Sequence, residues 1–317
     1  MFKFENFYIF FYKLTMISIK KLILLFKGYY IIKLMVNVFR LQTTQGASIK
    51  QLIECLAPLL TDVNFTFTPK FITKSTTDSE ESSQQTKTGG VIIKEINKQS
   101  TILVHCKLDA DKFDTYEYNY HKKELQIGIS LSYLVKALKC MNNFDNMTWE
   151  IDDENLNELS IIFETKTKDR VEFKKFRLNL MDIDNENLEI EPVNFSYLVI
   201  MPSHDFQKYC KDMSSATDKL ELICNKDKLI FRGKGDLGSV EFVTQESLGG
   251  LQIQMTSEEN IIVQGIYDLK YLSIFTKCTT LCNNVNMYLK NDYPLVIEYS
   301  VAALGKIKLV LSPSNGK

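Results

Sequence analysis

Leu131-Ser-Tyr-Leu-Val-Lys-Ala-Leu-Lys-Cys140 returns further along the chain as Leu269-Lys-Tyr-Leu-Ser-Ile-Phe-Thr-Lys-Cys278. Five identities fall at one constant offset of 138 residues. Tyr, Lys and Cys matching together at one offset point to a duplicated domain, and duplication constrains the fold before local propensity does. Upstream, Ser48-Ile-Lys-Gln-Leu-Ile53 and Asp205-Phe-Gln-Lys-Tyr-Cys210 open two further helical patterns. Setting Ile49 against Phe206 gives an offset of 157, so the first copy carries 19 more residues between its helices. Ser75-Thr-Thr-Asp-Ser-Glu-Glu-Ser-Ser-Gln-Gln-Thr-Lys-Thr-Gly-Gly90 fits that excess. It has no apolar residue to bury, which predicts a mobile loop inserted at about 72–89.

Four amphipathic helices follow from apolar residues at i, i+3, i+4 and i+7. They are predicted at Ile49–Leu60, Leu131–Cys140, Ser203–Met213 and Leu269–Cys278, with Ser203 as the N-cap of the third. Between them the period shifts to two and β-branched residues accumulate. Predicted strands include Val63–Thr68, Val91–Ile96, Thr101–Leu108, Phe176–Leu180, Leu220–Cys224, Leu295–Tyr299 and Ile307–Leu311. Each half reads helix, strands, helix, strands, which is an α+β architecture rather than alternating βα. Met181–Pro192 is acidic and ends in proline, a linker between the halves. The expected divisions are an N-terminal extension 1–34, a first domain 35–180, a linker 181–193, a second domain 194–313 and a tail 314–317.

The length of 317 residues suits two domains, and 45% hydrophobic residues support real cores. The net charge of −1 gives no global basic signature for nucleic acid, so any such signature is local. Seven cysteines contain no C-x-x-C pair, and the three histidines have no H-x3–5-H spacing, which excludes the usual zinc patterns. Reduced, mostly buried thiols of an intracellular protein are expected. Met1–Leu34 holds ten aromatics, six lysines and one acid. Lysines interrupt every apolar block, so it reads as neither membrane span nor signal peptide; a basic helix on a membrane surface is the lesser reading, and an upstream extension with Met35 as a natural start is the main one. Asn64, Asn146 and Asn194 begin N-x-[ST] sequons, read as chance matches without a leader.

Gly233-Lys-Gly-Asp-Leu-Gly238 matches G-x-G-x-x-G, but a strand-like Ser-Val-Glu-Phe-Val follows where a dinucleotide site needs a helix. It is read as a β-turn. No histidine has a nucleophile partner and no catalytic motif occurs, so the chain is not read as an enzyme and needs no cofactor or metal. What remains is lysine placement: Lys50, Lys136 and Lys139, Lys208 and Lys211, and Lys270 and Lys277 recur on the four helices. Lysines decorate any solvated helix, but recurrence on four related helices suits one surface for a polyanion read through its backbone charge.

Phe113-Asp-Thr-Tyr116, Leu138-Lys-Cys140, Leu180-Met-Asp-Ile-Asp184, Met201-Pro-Ser203, Tyr271-Leu272 with Phe275-Thr-Lys277, and Pro294-Leu-Val-Ile-Glu-Tyr299 closely resemble the proliferating cell nuclear antigen family of sliding clamps. The resemblance runs from about Val36 to Pro313. It implies the DNA-clamp fold: a homotrimeric ring of six similar domains, helices lining the hole and strands forming the shell. It implies duplex DNA held without sequence preference and no membrane partner. The protein partners it implies are a DNA polymerase, an ATP-driven clamp loader, a flap endonuclease and a ligase. The setting is the nucleus or a viral replication site. The seven lysines named above map to the hole-facing helices, while Gln51 and Ala57 stand where the family carries basic residues. The trimer contact maps to Phe176, Leu178 and Leu180 against the next subunit's strand around Ser239–Val243, with Val240 in it. The family's pocket for short hydrophobic-aromatic peptides maps to Ile96, Leu188, Ile190, Pro294, Val310, Ser312 and Pro313. Glu191, Val310 and Ser100 replace a family proline, aromatic and histidine, which alters that pocket's shape. Asp182, Asp184, Glu186, Glu189 and Glu191 would give it an acidic rim and favour peptides with basic flanks. The competing reading is a clamp-derived interaction scaffold that does not tether DNA.

Overall fold

The computed structural model describes residues 37–73, 86–166, 170–184, 188, 192–236, 238–256 and 261–314. Four α-helices lie among them: α1 (Gly46–Leu56), α2 (Leu131–Lys139), α3 (Ser203–Ser214) and α4 (Leu269–Phe275). Each follows a strand almost directly: Asn37–Thr43, Leu125–Ser130, Tyr197–Pro202 and Val263–Asp268. The apolar stripes face inward as their spacing requires. Ile49, Leu52, Ile53 and Leu56 are buried on α1, and Leu131, Leu134 and Leu138 on α2. Phe206, Cys210 and Met213 are buried on α3, and Leu269, Leu272 and Phe275 on α4. Helices α1 and α2 pack on each other, as do α3 and α4.

Beyond single-residue shifts, the helix ends differ from expectation in four places, the first being that α1 opens at Gly46 rather than Ile49. Helix α1 ends at Leu56 instead of Leu60, with Ala57 still helical as its C-cap at φ −55° and ψ −32°, because Pro58 has no N–H to continue the ladder. Helix α4 ends at Phe275, and a 3₁₀ turn, Thr276–Thr280, continues it. Ser203 is not the N-cap of α3; Pro202 holds that place. The Ser203 hydroxyl is fully buried and donates instead to the carbonyl oxygen of Cys282 at 2.6 Å, tying α3 to the segment after α4.

Three antiparallel sheets carry the helices. A nine-stranded sheet runs through both halves of the chain. Its central join is the pairing of Gly305–Leu311 with Ile102–Asp109, from Gly305 opposite Leu108 to Leu311 opposite Ile102. A five-stranded sheet ends on the edge strand Val171–Asn179, and a four-stranded sheet ends on the edge strand Gly238–Gln245. The expected β-turn at Gly233–Gly238 is the hairpin joining Lys228–Gly235 to that edge strand, with Gly235 opposite Gly238.

Two short paired strands, Phe71–Thr73 and Thr86–Thr88, form the base of the expected loop, so it is narrower than 72–89; residues 74–85 lie outside the described residues. Gly90, at φ 153°, closes that base, and a Cβ there would meet the Leu108 carbonyl oxygen. The Tyr116 hydroxyl fixes the same place by donating to the carbonyls of Thr68 and Gly90 at 2.8 and 2.9 Å. The Phe-Asp-Thr-Tyr motif is thus a structural clasp, with Phe113 buried and Asp114 accepting from the Thr44 amide at 2.6 Å. All seven cysteines are free thiols, five of them buried.

Candidate nucleic-acid interface and peptide groove

The helix layer concentrates positive charge. Helices α1–α4 and the 3₁₀ turn carry seven lysines against three carboxylates, Glu54, Asp205 and Asp212. The whole chain is balanced, with 38 basic and 39 acidic residues. The charge is therefore segregated onto the helices. Lys136, Lys139, Lys208, Lys211, Lys270 and Lys277 are exposed and Lys50 is half-buried. Lys277 lies on the 3₁₀ turn, not on the helix that carries Lys270, so the seven-residue spacing does not place them on one α-helical face. Among the described residues none of the seven takes part in an ion pair. The repeated tyrosines, missed as part of this surface, sit within it. The Lys136 ammonium lies 5.3 Å from the Tyr133 ring centroid and that of Lys270 4.6 Å from Tyr271. Each ring holds its lysine through a cation–π contact.

The two long edge strands form a second feature. In Val171–Asn179, Phe176 and Leu178 are half-buried against the core, as is the following Leu180. Phe176 meets Phe163 with ring centroids 5.8 Å apart. In Gly238–Gln245, Val240 and Phe242 take the equivalent inward positions, and Phe242 stacks on Tyr209 of α3. The outer faces are apolar in part: Val171, Phe173 and Val243 are 51, 66 and 50% exposed. At nine and eight residues they are the longest edge strands among the described residues. Long bare edges with exposed apolar side chains are templates for strand pairing.

The third feature lies on the outer face of the nine-stranded sheet. Period-two alternation sends Ile102, Val104, Cys106 and Leu108 into the core and leaves Leu103, His105 and Lys107 outside. There a groove of about 740 Å³ opens. Of the residues expected to form it, Ile96, Pro294, Val310 and Ser312 line it; Leu188 is half-buried beyond the lining, and Pro313 is exposed outside it. Ile190 lies outside the described residues. Reading by motif missed the aromatic wall. Phe195 packs on Tyr288 and Tyr293 with ring centroids 5.4 and 5.7 Å apart, and all three line the groove with Pro192 and Val193. Ser100, the position that departs from the family histidine, also lines it, at a positive φ of 53°. Alternation along Asn284–Leu289 would have found Tyr288, since buried Val285, Met287 and Leu289 leave it facing out. Asp182 and Asp184 of the expected acidic rim are exposed but do not line the groove; Glu186, Glu189 and Glu191 lie outside the described residues. Burial, then Lys308, Lys94 and Lys107, lower the pKa of His105 on this face.

A duplicated α+β chain with a lysine-bearing helix layer and an outer shell of antiparallel sheet defines the DNA-clamp class of fold. The chain belongs to the proliferating cell nuclear antigen family: the family's N-terminal domain matches residues 38–187 and its C-terminal domain residues 189–314. A "Probable DNA polymerase sliding clamp 1" of Paramecium bursaria Chlorella virus 1 is 28% identical over 284 residues, covering 87% of this chain and 97% of that protein. Among the described residues no group of three His, Cys, Asp or Glu could hold a metal ion, and no helix is long and apolar enough to cross a membrane.

Proposed function

We propose that the chain is the subunit of a DNA sliding clamp, a homotrimeric ring that encircles duplex DNA and tethers a polymerase and repair enzymes to it. The observation that carries this reading is the pair of long bare edges in separate sheets, one in each half of the chain. Pairing Val171–Asn179 of one subunit with Gly238–Gln245 of the next is a head-to-tail contact, and such contacts close into rings. Six half-chains would then turn their lysine-bearing helices toward one hole. Segregated charge attracts the DNA backbone without reading bases, so the ring slides. The outer groove is free to hold client peptides while DNA fills the centre. The clamp acts by topology and tethering, without catalysis, wherever the genome is copied: the nucleus or, for a viral owner, its replication site.

The test is topological. The full chain is loaded on nicked circular DNA with an ATP-driven clamp loader, isolated by gel filtration, and the DNA is then cut once. Retention on the circle and release after cutting support encirclement. Equal loss from circular and linear DNA sinks it and favours the interaction scaffold.

A further inference from the structure

The apolar groove does not end in neutral surface. It runs on into a second groove of about 630 Å³, and the two share His105, Tyr288 and Lys308. The second groove is lined by Lys107, Lys306 and Lys308 with two carboxylates, Glu298 and Asp109. Both carboxylates are already engaged. Glu298 is 3% exposed and accepts from Lys306 at 2.9 Å, with Lys308 at 3.6 Å; Asp109 pairs with Lys107 at 2.9 Å. Lys306 and Lys308 stay 58 and 45% exposed over a Glu298 that is 3% exposed, so there the positive charge faces solvent, while Lys107 and Asp109, 41 and 35% exposed, present both signs. Beside the apolar groove, the Lys290 ammonium lies 5.8 Å from the Tyr293 ring centroid. Lysines therefore stand both at the continuation of the groove and beside its aromatic wall.

We infer that the groove selects client peptides whose hydrophobic-aromatic anchor is flanked by Asp or Glu. This rests on the reading of the groove as the client site and reverses the basic-flank preference expected from the linker. Charge complementarity of this kind acts mainly on specificity and association rate. It weakens with salt, because the screening length falls from about 10 Å at 0.1 M to about 3 Å at 1 M.

The experiment titrates the full chain with three synthetic peptides that share one hydrophobic-aromatic anchor, written Gln-x-x-Leu-x-x-Phe-Phe. Their flanks on both sides are acidic, basic or uncharged. At low salt the acidic peptide should bind at least tenfold tighter than the basic one, and the gap should close in 1 M salt. Lys107→Gln combined with Lys290→Gln, both at half-buried positions outside the core, should cut the gap at least threefold. Equal affinities, or a preference for basic flanks, would overturn this inference and leave the groove as client site. Binding of none of the three would sink the groove reading itself.

Discussion

His105 shows how one side chain couples the outer face to pH. Burial and three nearby lysines, Lys308, Lys94 and Lys107, hold its pKa below the ordinary histidine value. The unfolded chain then binds more protons than the folded one as pH falls below about 6.5, the ordinary histidine pKa, so stability drops on acidification. We expect His105→Gln to lose less stability than the parent between pH 7 and 5 in urea titrations; equal losses would remove His105 from the account. Ser203 makes a second residue-scale case. Its buried hydroxyl serves the Cys282 carbonyl, and Ser203→Ala should cost about 1–3 kcal/mol in the same assay, as expected when a buried acceptor loses its partner. Reading Ser203 as an N-cap failed for a physical reason: Ser after Pro looks alike whether its hydroxyl serves its own helix or a loop carbonyl 79 residues away.

The elements were legible wherever one face is wet. All four helices stand close to where the apolar spacing put them, because each buries a single stripe. The unpredicted strand Asn146–Asp152 has five consecutive buried residues, including Thr148 and Glu150, so no period of two exists to read. Glu150 is held there with Arg40, 3.6 Å away and 27% exposed. The seven lysines could be placed on the helix layer from sequence, but the aromatic wall of the groove could not. Phe195, Tyr288 and Tyr293 come together only when separate segments fold. At this scale the edge strand gives a sharp prediction. Leu178→Arg puts a charge on the half-buried side of Val171–Asn179 and should convert the assembly to monomers in sedimentation velocity; an undisturbed assembly would assign the subunit interface elsewhere. The helices give another. Lys136, Lys139, Lys270 and Lys277 changed together to Ala should flatten the fall of DNA affinity with log salt, by up to about 0.9 in slope for each phosphate no longer neutralised. An unchanged slope would return these lysines to ordinary solvated surface.

At the scale of the whole molecule, the two halves share one nine-stranded sheet, joined through Gly305–Leu311 and Ile102–Asp109. That continuous backbone pairing joins the two halves through the sheet as well as through the linker. Among the described residues, two of the sheets end on the unpaired edge strands Val171–Asn179 and Gly238–Gln245, and the single chain leaves Val171, Phe173 and Val243 exposed. In the proposed ring, closure would cover those edges, align the lysines around one hole and turn each groove outward. Trimer closure is the claim on which DNA tethering depends, and absolute mass reads it directly. Light scattering coupled to size exclusion on the full chain should give three times the 36.7 kDa chain mass, independent of loading concentration. A particle of one chain mass across the same concentration range would contradict the ring.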